Sequence, residues 1–213
     1  MRSVLGRFLR SVLVKPAASP APAQVESVSN GAAAVAAGAL RLNLGCGDKH
    51  LPGYVNVDVA SSRAGVRPDV QCDLRELKSF ATDSADEILA VHVVEHFWRW
   101  EIVDVLREWV RTLKPGGQMI VECPNLLEAC RTLLEDPVNG AQPGPEGQRT
   151  MWVFYGDPAW RDPLMCHRWN YTPQSLKALM EEAGLVRVRQ EPAQFKLREP
   201  RDMRIVGEKP RVR

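Results

Sequence analysis

Leu40-Arg41-Leu42-Asn43-Leu44-Gly45-Cys46-Gly47, followed by Tyr54-Val55-Asn56-Val57-Asp58-Val59, decides the fold. The first run alternates apolar and polar side chains and stops at two glycines, as a strand does when it ends in a tight turn. The second alternates in the same way and carries an aspartate near its end. Val70-Gln71-Cys72 reads as a short third strand, Glu87 to His92 as a fourth and Gln118 to Glu122 as a fifth. A helix separates the last two. Ile102, Leu106, Trp109 or Val110, and Leu113 form its apolar stripe, and Lys114-Pro115-Gly116-Gly117 ends it. A later helix starts with Thr172 as cap and Pro173 in the first turn, buries Leu176, Leu179, Met180 and Ala183, and stops at Gly184. Strands around 186–188 and 203–206 close the chain. Strands alternating with helices predict an α/β fold, a doubly wound parallel sheet with helices on both faces. The links between the first three strands are short for parallel crossovers, which usually need about a dozen residues, so the first helices must be truncated.

Composition supports one packed domain with an appendage. The chain has 213 residues, 45% hydrophobic and 25% charged, which excludes wholesale disorder. Its formal charge is +2, too small a field for a nucleic-acid partner, whose backbone demands several basic contacts. No stretch approaches the ~20 apolar residues that cross a bilayer. The five cysteines are odd in number and contain no C-x-x-C pair, which argues against a disulfide framework and a four-cysteine zinc site. Reduced thiols of this kind suit a cytoplasmic compartment.

The first residues differ from the rest. Arg2, Arg7, Arg10 and Lys15 precede the first acid, Glu26; without them the remainder holds 24 basic against 26 acidic residues. Val4, Leu5, Phe8, Leu9, Val12 and Leu13 fall on one helical face, so residues 1–15 read as a basic amphipathic segment. Such a segment can dock on its own domain, act as a transit peptide, or lie on an anionic membrane surface as a weak single anchor. Residues 16–39 are Ala/Pro-rich and read as a linker. The folded domain is expected over 40–213.

Ligand sites in open α/β sheets form at the carboxyl ends of the strands, where strand order reverses. The residues at those ends are therefore the candidates. Gly45 and Gly47 let backbone N–H groups approach a ligand closely. Asp58 stands where a carboxylate grips ribose hydroxyls, and Asp73, after the third strand, is placed for a further nucleoside contact. A dinucleotide fits poorly: the fingerprint wants a third glycine three places after Gly47, and that residue is His50.

Leu42-Asn43-Leu44-Gly45-Cys46-Gly47, Val57-Asp58, Cys72-Asp73-Leu74, His92-Val93-Val94-Glu95-His96-Phe97 and Leu113-Lys114-Pro115-Gly116-Gly117, in that order, resemble class I S-adenosylmethionine-dependent methyltransferases. The similarity runs from about Leu40 to the C-terminus. It is greatest to small methyltransferases with an LNLGCG…GYVNVD opening, some associated with cell-surface glycan synthesis. The resemblance implies a Rossmann-like sheet of seven strands with the last antiparallel, and S-adenosylmethionine as cofactor. It also implies cofactor contacts from Leu44, Gly45, Cys46, Gly47, Asp58, Val59, Asp73, Leu74 and His92, with Gly45 and Gly47 against the methionine part, Asp58 on the ribose and Asp73 at the adenine edge.

His92-Val93-Val94-Glu95-His96 also matches the H-x-x-E-H of one zinc peptidase class. Zinc would need both histidines on one helix face, whereas Ile88–Val91 reads as a strand, which leaves His92 at its end and His96 in the following turn. No metal is therefore expected: Glu95 and His96 read as hydrogen-bonders behind the site, with a divalent ion held by those two residues as the weaker alternative.

An alcohol acceptor benefits from a base with a pKa near neutrality, so His92, His96 and His167 are the catalytic candidates. Residues 135–171 read as a long irregular acceptor-side insertion, with Trp152, Phe154, Tyr155, Trp160 and Trp169 to cover a ring and Arg161 and Arg168 to meet an acidic group. The expected activity is methyl transfer to a small-molecule or glycan acceptor at oxygen. The alternative is a non-catalytic nucleoside-binding module of the same fold.

Overall fold

Seven short runs rich in Val, Ile and Leu pair into one sheet, and where each run stops follows from its flanking glycines, prolines and aspartates. The computed structural model describes residues 38–138, 145–195 and 202–211. The amphipathic segment 1–15, most of the linker and residues 139–144 of the insertion lie outside the described residues.

The strands are β1 (Arg41–Leu44), β2 (Val55–Asp58), β3 (Val70–Gln71), β4 (Ala85–Val91), β5 (Leu113–Pro124), β6 (Val186–Glu191) and β7 (Asp202–Glu208). Their order is β3-β2-β1-β4-β5-β7-β6. The first five pair in parallel, while β7 lies antiparallel between β5 and β6. This is the expected Rossmann-like sheet with its antiparallel last strand. The helices are α1 (Ile102–Thr112), α2 (Leu126–Glu135), α3 (Pro145–Tyr155) and α4 (Pro173–Glu182).

One large core joins α1 and α4 to one face of the sheet: Ile102, Leu106 and Trp109 meet Leu176, Met180, Ile88, Met119 and Ile205. Side chains alternate along strands, so Leu89, Ile120 and Val206 point the other way and make a smaller cluster with Leu51, Tyr54 and Val91. The truncation expected of the first crossovers is complete, since links 45–54 and 59–69 carry no helix. In the second link, Arg63 and Val66 close a two-residue hairpin around Ala64 and Gly65, both at positive φ.

Two expectations need correction. Leu113 is not the last residue of the helical stripe. It is extended (φ −66, ψ 140) and pairs with Ala85 as the first residue of β5. Pro115 disfavours helix for the residue before it, so the chain leaves α1 early. The insertion 135–171 is not irregular either. It holds α3 and two 3-10 turns, Pro158–Trp160 and Pro163–Met165, capped by the side chains of Asp157 and Asp162. The signal was present as Asp-Pro at 157–158 and again at 162–163, a cap residue followed by proline in the first turn.

Candidate active site

Strand order reverses between β1 and β4, and the chain leaving each strand is held in a shape few residues tolerate. Gly45 follows β1 at φ +66, and a Cβ there would sit 2.5 Å from Val93 Cγ2, so both the torsion and the space demand glycine. Gly47 has φ +56 but only Arg63 Cδ, 3.8 Å away, near its missing Cβ. After β4, His92 adopts φ +56 while its N–H still donates to Glu122 O at 2.7 Å. A non-glycine residue in this region is uncommon, and the surrounding packing must impose it.

These turns wall one cavity of about 600 Å³. Gly45, Cys46, Gly47, Asp58, Val59, Asp73, Leu74 and His92 all line it. Leu44 does not: its side chain is fully buried in the main core.

Asp58 is buried and accepts the N–H groups of Gly47 and Ala60, each at 2.8 Å. Arg63 stands 3.8 Å from Asp58 Oδ1 and reaches on to Asp162 Oδ2 at 3.3 Å, which ties the β2 end to the second Asp-capped turn. Asp73 is half exposed at the rim and accepts its neighbour's N–H, that of Arg75. The adjoining Leu74 carbonyl accepts from buried Trp109 Nε1 at 2.8 Å, so α1 positions this part of the wall. Burial, reinforced by Asp58 and Asp69, pushes the Cys46 thiol up to about 12 and leaves it uncharged.

The opposite wall comes from the insertion: Trp152, Asp157, Trp160, Leu164, Met165, His167 and Arg168. The 166–169 segment is stitched to the 3-10 turn Val94–His96, since the Arg168 N–H donates to Glu95 O at 2.8 Å. His96 and His167 thereby come together, with ring centroids 5.0 Å apart and edge to face. His92 lies between two buried carboxylates, its Nδ1 3.2 Å from Glu95 Oε1 and its Nε2 3.4 Å from Asp202 Oδ1. Burial pushes the Glu95 carboxyl up, but the three imidazoles, His92 foremost, outweigh it and hold the group at about 2. Burial also lowers His96, against the pull of Glu95. Of the insertion candidates, Arg168 reaches the cavity, whereas Arg161, Phe154, Tyr155 and Trp169 are not on its wall.

Two polar networks escaped the sequence reading. Asn43 and Asn56 are register partners on β1 and β2, and Asn43 Nδ2 donates to Asn56 Oδ1 at 2.9 Å. Asn56 also accepts from the Leu51 N–H and donates to Asp69, pinning the loop that follows the glycine turn. Glu122, fully buried in β5, accepts from Arg204 and from the N–H groups of Gln194 and Phe195. It thereby sets Phe195 on the cavity wall. The readable sign was a polar residue inside an apolar strand, at 43, 56 and 122, where an unpaired side chain would be costly.

A cavity at the switch point, with a glycine turn on one strand and an aspartate on the next, is the ligand crevice of a Rossmann-like domain. A family model described as a methyltransferase domain matches residues 42–121. No curated protein matches the chain. Among solved structures, it is similar to a SAM-dependent methyltransferase from Archaeoglobus fulgidus, with 19% identity and a TM-score of 0.52 over 81% of this chain and 87% of that one. It is also similar to a Thermotoga maritima SAM-dependent methyltransferase described as a possible histamine N-methyltransferase, with 17% identity and a TM-score of 0.53 over 82% and 84%. A Haemonchus contortus phosphoethanolamine N-methyltransferase, solved with S-adenosylhomocysteine, shares 13% identity at a TM-score of 0.51 over 82% and 49%. At these identities the likeness is one of fold. The chain has the fold of class I S-adenosylmethionine-dependent methyltransferases and residues 42–121 match a methyltransferase-domain model; together these imply S-adenosylmethionine as the cofactor.

Proposed function

We propose that this chain transfers a methyl group to a hydroxyl oxygen of a small-molecule or glycan acceptor. The observation that carries the reading is the single cavity joining the glycine turn and Asp58 on one side to Trp152, Trp160, His167 and Arg168 on the other. A site for a nucleoside alone would not need the second wall.

The residues present suit the cofactor. A carboxylate offers about four acceptor positions, and two N–H groups occupy only part of that capacity at Asp58, so ribose hydroxyls can share it. Gly45, Cys46 and Gly47 would hold the amino-acid end and Asp73 with Leu74 the base. When bound, S-adenosylmethionine supplies a methyl carried on a positively charged sulfur.

The chain's own contribution is alignment and exclusion of water, the two effects an in-line displacement profits from most. Arg63 bridges Asp58 to Asp162 and so holds the insertion over the cofactor wall. His96 and His167, both on the cavity wall, would take part as an acceptor hydroxyl gives up its proton, while His92, held between Glu95 and Asp202, positions Glu95 behind them. Trp152 Nε1 is buried without a partner, a donor suited to an acceptor oxygen. Trp98 and Trp100 stack face to face at 4.8 Å with Arg168 over Trp98, and both indoles are exposed. Flat exposed rings, reached through the cavity residue Arg168, favour a sugar.

Incubation with methyl-labelled S-adenosylmethionine and fractionated glycan and metabolite extracts tests the proposal. Label should appear in an acceptor as an alkali-stable ether and should depend on His96 and His167. Tight cofactor binding with no labelled product in any fraction would favour the non-catalytic module instead.

A further inference from the structure

Three of the chain's four histidines gather around one carboxylate, that of Glu95. Its side chain is 1% exposed, and the groups that face it are imidazoles. Buried carboxylates are normally satisfied by several N–H donors, as Glu122 is in this same protein. Glu95 has imidazoles instead: His92 Nδ1 at 3.2 Å and His167 Nε2 at 3.9 Å.

Two of those imidazoles are oriented in a particular way. His96 Nδ1 meets Cys166 O at 3.2 Å, and His167 Nδ1 meets Val153 O at 2.9 Å. A carbonyl only accepts, so each Nδ1 carries the hydrogen and each neutral ring keeps the lone pair of Nε2. Metal-bound histidines are held in just this manner, with the outer nitrogen on a carbonyl or carboxylate. One donor atom each from Glu95, His96 and His167 lies within 4.8 Å of the others. Zinc–nitrogen bonds of about 2.0 Å place tetrahedral ligands about 3.3 Å apart, so small side-chain rotations close the set.

We propose that Glu95, His96 and His167 form a binding site for a divalent transition ion of the zinc type, with its remaining coordination position toward the cavity that His96 and His167 line. Two imidazoles and one carboxylate select zinc or iron(II) over magnesium or calcium, which prefer all-oxygen sets. The site is not that of an H-x-x-E-H peptidase. His92 leaves β4 in a left-handed conformation rather than sharing a helix with His96, and Glu95 is a ligand rather than a base. His92 becomes the residue that orients the ligand carboxylate. A hydroxyl taking the remaining position would be polarised and more readily deprotonated. That consequence rests on the methyl-transfer reading; the ion site does not.

Cobalt(II) titration of the chelator-treated full-length chain, followed by its visible d–d absorption, tests the site. The wild type and a His50→Ala control, altered at the one histidine outside the cluster, should each bind one equivalent and release it to zinc. The His96→Ala/His167→Ala double variant should show no bands while its far-UV circular dichroism matches the parent. If that variant does not fold, Glu95→Gln serves, with cobalt binding weakened at least tenfold. Zinc should also raise the wild-type Tm. Absence of both bands and Tm shift in the wild type, or equal binding by the variants, would overturn the proposal. Calorimetric affinity for S-adenosylmethionine, measured on the metal-free chain, reports separately on the cofactor reading.

Discussion

Asp58 Oδ2 accepts the N–H of Gly47 at 2.8 Å, across the ends of β1 and β2. One carboxylate therefore shapes the glycine turn and lines the cavity that the turn encloses. On the proposed function Asp58 both shapes the turn and grips ribose, and replacements should separate the two roles.

Asp58→Ala removes the acceptor for Gly47 and Ala60 as well as the proposed ribose partner. We expect S-adenosylmethionine affinity to fall by about 1.5–3 kcal/mol, the range for hydrogen bonds to a charged group, together with a lower Tm. Asp58→Asn, which keeps one oxygen, should recover more of the Tm than of the affinity. Calorimetry on both variants gives the answer, and wild-type affinity in Asp58→Ala would remove Asp58 from the cofactor site.

Gly45→Ala places a Cβ 2.5 Å from Val93 Cγ2 at φ +66. Overpacking alone costs about 1–3 kcal/mol, and the left-handed torsion adds about 1–2 kcal/mol. Val93→Ala in the same chain should restore the packing part but not the torsion part. Urea denaturation of the two single variants and the double should therefore give a destabilisation smaller than the sum. Strict additivity would show that the two positions do not clash.

Glu122→Gln leaves Arg204 buried with Glu191 Oε2, 3.4 Å away, as its remaining anion. Breaking a buried pair in this way typically costs about 3–5 kcal/mol, and Glu191 should keep the loss near the lower figure. Because Glu122 also holds the N–H of Phe195, cofactor affinity should weaken in step with stability. Chemical denaturation and calorimetry together distinguish this from a purely local effect.

Asp86 accepts from Lys114 and from the N–H of Leu40, and these bonds hold its carboxyl below the usual carboxylate range despite some burial. A carboxyl lowered in the folded state stabilises it above the unfolded pKa, about 3.9 for aspartate, and that contribution is lost as pH falls through the folded value. Asp86→Asn should flatten the acid limb of the stability curve below about pH 4 and leave its slope near neutrality unchanged. Melting curves across that interval would show an unaltered acid limb if the pairing is only cosmetic.

Ala64 sits at φ +47 in the two-residue turn that presents Arg63 to Asp58. Asparagine and glycine are the residues such turns prefer. Ala64→Asn should raise the stability by up to about 1 kcal/mol, read as a higher Tm, since the left-handed torsion no longer works against an alanine.

The sheet was legible because its information is local. Alternation at 40–44, 54–59 and 87–91 needs no knowledge of the rest of the chain, and neither does glycine or aspartate at a strand end. The same locality explains the errors. Leu113 keeps an apolar residue at helical spacing, so periodicity alone extends α1 by a residue that Pro115 has already turned into strand. The insertion reads as irregular from its prolines alone, whereas Asp157-Pro158 and Asp162-Pro163 each start a capped turn. Leu44 sits in the motif that carries the glycine turn, yet alternation sends its side chain to the core, and only its neighbours reach the cavity.

Spacing by itself determined where the strands fall along the chain, the glycine turn after β1, Asp58 at the end of β2 and the α/β class of fold, since these follow from backbone torsions and from a period of two or 3.6. It could not determine what lies across from what. His167 is separated from Glu95 by more than seventy residues, and Arg63 from Asp162 by ninety-nine. Those pairs meet only because hydrogen bonds draw the 166–169 segment onto the Val94–His96 turn and because Arg63 spans from Asp58 to Asp162. Contacts of that kind depend on how the completed sheet and its insertion pack, which no local pattern encodes. The sequence marked 135–171 as the acceptor side, but which of its residues face the cavity, and the histidine–carboxylate cluster, were decided by the tertiary structure.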